Sequence, residues 1–293
     1  MSEKHISNFV KVTDLDMQNK KVVYQGTEGA YSQVAMKKYF KNEIDYFNVK
    51  TWREAFEALK NGEADYAVLP IENSTAGIVA ENFDLLTEFG YYIVGEQLVY
   101  IDHCLLGVEG TEISGIKTVY SHPQALAQCS HFFENNKNIE AVPVSNTAVA
   151  AEKVMNDGDK TQAAIAGIQA AEIYGLTVLE KAIQNNRVNQ TRFIVVGKEP
   201  VFVEGADKIS ISLQLKHKPG ALYHALSYFY DNGLNMTSIT SRPIPDWNWE
   251  YLFYIDIEGS LEDEAVKTAL SGLKNDTKML EIYGNYKMGI YKY

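Results

Sequence analysis

Cysteine is scarce in this chain. Only Cys104 and Cys129 occur, and neither sits in a metal-ligand spacing. That excludes a disulfide scaffold and leaves two buried thiols in a reducing compartment as the expectation. The six histidines, His5, His103, His122, His131, His217 and His224, make no metal spacing either. No serine is framed as a nucleophile elbow and no phosphate-binding P-loop is present. No window reaches the roughly 18 apolar residues of a membrane span. Residues 1–20 are polar and charged, without the apolar stretch of an export signal. The expected location is therefore cytoplasmic.

Positive charge is also short. Lys and Arg number 27 against 38 Asp and Glu, for a net charge of −11. Residues 208–293 carry nine basic and ten acidic residues, so nearly all of the excess lies before them. Such a surface argues against nucleic acid and anionic membranes as partners. An anionic substrate would need a local positive site, from one or two arginines or a helix N-terminus.

What is present is ordinary for a globular protein: 46% hydrophobic and 22% charged residues. A chain of 293 residues suggests two domains and can bury a sizeable core. From residue 21 to about 200, short apolar runs alternate with helical spacing. Strands are expected at 22–25, 44–49, 64–71, 92–101, 117–120, 141–144, 163–166 and 192–196. Thr51-Trp52-Arg53-Glu54 and Ser121-His122-Pro123-Gln124 read as capping boxes that open helices. The alternation predicts largely parallel α/β sheets. After a boundary at 199–207 the order becomes β-α-β-β-α-β, the ferredoxin-like arrangement.

Four segments could carry chemistry. Gly26-Thr27-Glu28-Gly29-Ala30-Tyr31-Ser32 lies between a strand and a helix, and suits a plain turn as well as an anion site. Pro70 to Val79 clusters Asn73, Ser74, Thr75 and Gly77 at the end of a buried strand, the site-forming end of α/β sheets. An Asx turn with a helix cap explains it equally. Ser121 to Gln124 is explained by helix capping alone. In the functional reading, the same N–H groups bind an anion. The polar run Asn185 to Phe193 feeds an apolar strand and is hard to explain by packing, with a solvated loop as the plain alternative. Arg192 is its best candidate for bidentate carboxylate binding.

Taken in order, these pieces resemble the prephenate dehydratase family. The match runs through the glycine turn, Glu72-Asn73-Ser74-x-x-Gly77-x-Val79, Asp84-Leu85-Leu86 and Ile101-Asp102-His103-Cys104-Leu105. Tyr120-Ser121-His122-Pro123-Gln124, Tyr174-Gly175-Leu176 and Asn189-x-Thr191-Arg192-Phe193 complete it. Gly220-Ala221-Leu222 and Ser241-Arg242-Pro243 resemble an ACT module. The likeness covers about residues 21–287. Two positions depart from the family pattern: Asn82, where Thr is frequent, and Thr240, where Glu is common.

The resemblance implies a two-lobed, periplasmic-binding-protein-like catalytic domain at 21–200 behind an extension at 1–20, and a ferredoxin-like ACT domain at 208–287. The first lobe would be 21–100 rejoined by 192–196, and the second 101–184. It implies decarboxylating loss of water from prephenate, giving phenylpyruvate, with no cofactor and no metal. Thr191 would act as proton donor. Arg192, Asn73, Ser74, Ser121, Gln124, Thr147 and Asn189 would bind substrate, with Phe193 and Gly29 in support. Phenylalanine would be the effector, at Gly220, Ala221, Leu222, Asn235, Ser241 and Arg242. A homodimer or a dimer of dimers is implied, and residues 1–20 are too short for an added mutase domain. The rival readings are an arogenate dehydratase and a non-catalytic binding or sensor protein.

Overall fold

The computed structural model describes residues 6–41, 44–244 and 250–289. The first residues of the expected N-terminal extension lie outside them. In chain order the first elements are β1 (Val10–Val12), β2 (Lys21–Gln25), α1 (Tyr31–Phe40), β3 (Asp45–Val49), α2 (Trp52–Asn61) and β4 (Tyr66–Asn73). Then come β5 (Gly77–Ile78), α3 (Ala80–Phe89), β6 (Tyr92–Tyr100), β7 (Cys104–Gly107), β8 (Thr118–Ser121), α4 (Pro123–Gln128) and α5 (Ser130–Asn135). β9 (Glu140–Pro143), α6 (Thr147–Asp157), β10 (Gln162–Ala166), α7 (Ile168–Tyr174), β11 (Thr177–Glu180), β12 (Gln190–Gly197) and β13 (Val201–Val203) follow. The chain ends with β14 (Lys208–Gln214), α8 (Ala221–Asp231), β15 (Met236–Pro243), β16 (Tyr251–Glu258), α9 (Glu264–Asp276) and β17 (Met279–Tyr286).

The chain forms two compact units. One holds Lys21–Val79 and Gln97–Phe193. The other holds Ala80–Glu96 with both chain ends, Met1–Lys20 and Ile194–Tyr293. β6 and β12 run from one into the other.

The first unit has two lobes, each built on its own sheet. One sheet has the order β3-β2-β4-β12-β6, and the other β11-β7-β10-β8-β9. In the second sheet the pleat explains the packing. Leu105, Ala163 and Ile165 enter one core cluster, while Leu106, Ala164 and Ala166 enter another. Successive residues point to opposite faces, so a strand covered by helices on both sides must be apolar throughout.

The expectation of largely parallel sheets needs correction here. β7 pairs antiparallel with both β10 and β11. It enters its lobe directly from β6, with only residues 101–103 between, so no crossover helix sets its direction.

Helix starts follow their local chemistry. Thr51 caps α2 with both halves of the capping box, Glu54 N–H to Thr51 Oγ and the Thr51 N–H to the Glu54 carboxylate. The second expected box does not form. Pro123 occupies the first helical position and moves the start one residue onward. His122 becomes the cap, its Nδ1 accepting the Gln124 N–H at 3.2 Å. Ser121 stays in β8.

The second unit contains the β-α-β-β-α-β module with strand order β15-β16-β14-β17. Ile209, Ile211, Leu213, Phe229, Ile255, Leu270 and Ile282 fill its core. α3 belongs to this unit. Thr87 shares hydrogen bonds with the Tyr254 and Tyr283 hydroxyls at 2.6 and 2.7 Å, and Arg242 grips Asp84 through two bonds.

Candidate active site

Within the first unit a cavity of about 280 Å³ opens between the lobes. Tyr31 and Ser32 from the start of α1, Trp52, Asn73, Thr191 and Phe193 line it from the first lobe. His122, Gln124, Gln128, Asn146 and Thr147 line it from the second, and His103 from the loop between β6 and β7. Among the described residues, no Lys, Arg, Asp or Glu lines it. Its polarity comes from amides, hydroxyls, two imidazoles and helix starts.

Asn73 ends β4 and sits at the centre. Its Oδ1 accepts the backbone N–H groups of Thr75 and Ala76 at 3.1 and 3.0 Å. Backbone N–H groups can only donate, so the orientation of the amide is fixed. Its Nδ2 therefore faces Thr191 Oγ at 2.9 Å and Asn189 Oδ1 at 2.8 Å, donating to both. Thr191 accepts, which leaves its own proton available to the cavity.

The same logic runs outward. Asn189 Nδ2 donates to Gln128 Oε1 at 3.0 Å, and Gln128 Nε2 donates to Thr75 Oγ at 2.7 Å. Thr75 Oγ in turn donates to Asn73 Oδ1 at 2.7 Å. Gln128 thus closes a ring of side chains that joins α4 to β4 and to the approach to β12.

Of the residues expected from sequence, Thr191, Asn73, Gln124, Thr147 and Phe193 line this cavity. Asn189 is buried and holds Asn73 from behind. Ser74 instead accepts the Gln190 N–H at 3.0 Å and faces a neighbouring cavity. Ser121 is fully buried, and its hydroxyl donates to the Ile165 carbonyl at 2.6 Å. Gly29 takes a φ of +80°, with Ala170 Cα 3.2 Å from where a Cβ would lie. It is a packing turn beside the site, and its N–H donates to Gln33 Oε1 at 2.8 Å. Arg192 does not line the cavity. It is the strand neighbour of Thr191, so it points to the other face and pairs with Glu72 at 3.2 Å.

Gln128, Trp52 and Asn146 lie outside the segments singled out from sequence for chemistry or for the family resemblance, while Tyr31, Thr75 and His103 fall within them but carry no expected role. Gln128 has a signal: it lies four residues after Gln124, on the same helix face. Burial lowers the proton affinity of His103 and of His122, and raises the pKa of the Tyr31 hydroxyl. Cys129, also buried, is pushed up to about 12 and is inert as a nucleophile. Among the described residues no group of three His, Cys, Asp or Glu could hold a metal, and no helix is long and apolar enough to cross a membrane.

A two-lobed α/β body around a neutral polar cleft, on one chain with a β-α-β-β-α-β module, defines a small-molecule enzyme or binder carrying an ACT-type module. A family model described as prephenate dehydratase matches residues 22–201, and an ACT domain model matches 209–275. The chain belongs to the prephenate dehydratase family. The bifunctional chorismate mutase/prephenate dehydratase of Stutzerimonas stutzeri is 36% identical over 271 residues, 92% of this chain and 74% of that protein. The chloroplastic arogenate dehydratase/prephenate dehydratase 1 of Arabidopsis thaliana is 37% identical over 300 residues, 97% of this chain and 76% of that one. The structure of prephenate dehydratase in complex with L-Phe from Arthrobacter aurescens superimposes with a TM-score of 0.84 at 32% identity, covering 92% of this chain and 90% of that one.

Proposed function

We propose that this chain converts prephenate to phenylpyruvate, with Thr191 as the proton donor. In this reaction the bond to the ring carboxylate breaks and releases carbon dioxide. Its electron pair enters the ring as the carbon–oxygen bond to the para hydroxyl breaks. The departing hydroxide takes a proton and leaves as water. The ring becomes aromatic, so the step is downhill, and what the protein supplies is orientation and one positioned donor.

The observation that carries this reading is the direction of the Asn73–Thr191 hydrogen bond. A threonine hydroxyl that accepts from Asn73 presents its proton outward, where the leaving hydroxyl would sit. The hydroxyl is too weak an acid to ionise as it acts, so it works by hydrogen bonding or by relaying a proton from water. Gln124 and Thr147 would bond the substrate, and the N–H groups at the starts of α1 and α6 would face its carboxylates. Ser74, Ser121, Asn189 and Arg192 would support these groups from behind, and Phe193 would pack beneath the substrate in the cavity.

The lining supports prephenate ahead of arogenate. Arogenate carries an ammonium where prephenate has a ketone, and no described carboxylate lines the cavity to meet it. The catalytic domain is taken as 21–200 and the ACT domain as 208–287, acting in the cytoplasm.

We infer feedback by phenylalanine through the ACT module, supported by the Arthrobacter relative solved with L-Phe. Gly220, at φ +78°, opens α8 and lets the backbone approach a ligand. Ala221, Leu222, Asn235 and Ser241 would complete the effector site. Arg242 joins this module to α3 through Asp84. Homodimers would form by pairing of modules along the edge strand β15.

The test is phenylpyruvate formation from prephenate, with arogenate as competitor and with or without phenylalanine. Turnover of prephenate with phenylalanine sensitivity is expected. A protein inert on both substrates would contradict the catalytic reading.

A further inference from the structure

The ring of side chains around Thr191 continues to a residue with no assigned role. His103 is 2% exposed and lies in the loop between β6 and β7. Its Nε2 is 3.0 Å from Gln128 Oε1. That oxygen also accepts from Asn189 Nδ2, so its identity as oxygen follows from the chain of bonds that starts at the Thr75 and Ala76 N–H groups. An oxygen cannot donate, so His103 Nε2 must carry the hydrogen. His103 Nδ1 is then unprotonated and lies 3.4 Å from the Tyr31 oxygen. Tyr31 itself is tied to the Asp102 carbonyl at 2.8 Å. Burial favours the neutral ring, which suits this single tautomer.

We propose that His103 is a positioning residue for the reaction: as the Nε2–H tautomer it holds Gln128, and through Gln128 and Asn189 it holds Asn73 against Thr191. Asn189 and Thr75 anchor Gln128 from the β4–β12 side. His103 anchors it from the loop between β6 and β7, on the same Oε1 that Asn189 holds. Without it the Gln128 amide can swing. A swing unpairs Asn189 Nδ2 and Thr75 Oγ together, and both hold Asn73. The effect reaches Thr191 through three intervening side chains: Gln128, Asn189 and Asn73.

This inference rests on the reading of Thr191 as donor, and the test separates the two. kcat and KM on prephenate are measured for wild type, His103→Leu and His103→Gln, with the thermal midpoint of each. Glutamine can place an amide N–H near the position of Nε2; leucine cannot. Misplacing a catalytic group by about an ångström costs up to roughly 100-fold. The expected result is a kcat about 10–100-fold lower in His103→Leu, with KM within about threefold, and most of the loss recovered in His103→Gln. Equal losses in both variants, or a His103→Leu kcat within about twofold of wild type, would overturn the proposal. If wild type does not turn over prephenate, the functional reading fails instead. The ¹⁵N spectrum of the His103 ring then decides the proposal by itself: a neutral Nε2–H tautomer supports it, and an Nδ1–H tautomer rejects it.

Discussion

Asn73 cannot rotate its amide without placing an NH2 group against two backbone N–H donors. That constraint makes the direction of the whole network a property of one residue. Asn73→Asp keeps the shape and the bonds to Thr75 and Ala76 but replaces the donor facing Thr191 by an acceptor. Thr191 would then give its proton to the introduced carboxylate, away from the cavity. Losing one positioned donor costs about 10²–10³ in kcat, and this variant should lose at least that much in a steady-state assay. His103 sets a stability signature as well. Its folded pKa lies below its ordinary 6.5, because burial disfavours the charged ring. The unfolded chain therefore binds the extra proton first as pH falls below about 6.5, and stability drops in that window down to the folded pKa. Chemical denaturation at pH 7.5 and pH 5.5 should show the loss, and His103→Gln should show less of it.

At the level of elements, strand periodicity decides which residues meet the cavity. Thr191 and Arg192 are neighbours on β12, as Asn73 and Glu72 are on β4, and the odd-numbered pair faces the cavity while the even-numbered pair meets on the far side. In sequence the adjacent Thr and Arg look like a joint site, because two-residue alternation is visible only once the strand's buried face is known. Arg192→Ala should therefore leave KM for prephenate within about threefold and lower the thermal midpoint, since Glu72 loses its partner. A tenfold rise in KM would return Arg192 to the substrate. Helix starts divide the same way. The Thr51 box is legible because both partners lie within four residues, and Thr51→Ala should cost about 1 kcal/mol in denaturant unfolding. At Ser121 the same pattern misleads, because Pro123 sets the start of α4.

For the whole molecule, the alternation of elements and the late switch to β-α-β-β-α-β make the fold class readable. The direction of β7 and the grouping of α3 with the ACT module are not readable, since both depend on contacts between segments far apart in sequence. The buried ion pair of Lys208 and Glu96, at 2.7 Å, is a third such feature. It joins β14 to β6, 112 residues away, and Asp256 lies 3.8 Å from the same ammonium. Removing one partner of a buried pair costs about 3–5 kcal/mol, so Glu96→Leu should lower the thermal midpoint by several degrees or more.

The central claim is that a hydroxyl held by Asn73 delivers the proton. Its most direct test is the kcat of Thr191→Ala on prephenate beside that of wild type, with binding checked by KM. A fall of about 10²–10³ with KM nearly unchanged is the expected result. A kcat within about fivefold of wild type would contradict the claim and move the donor elsewhere in the cavity.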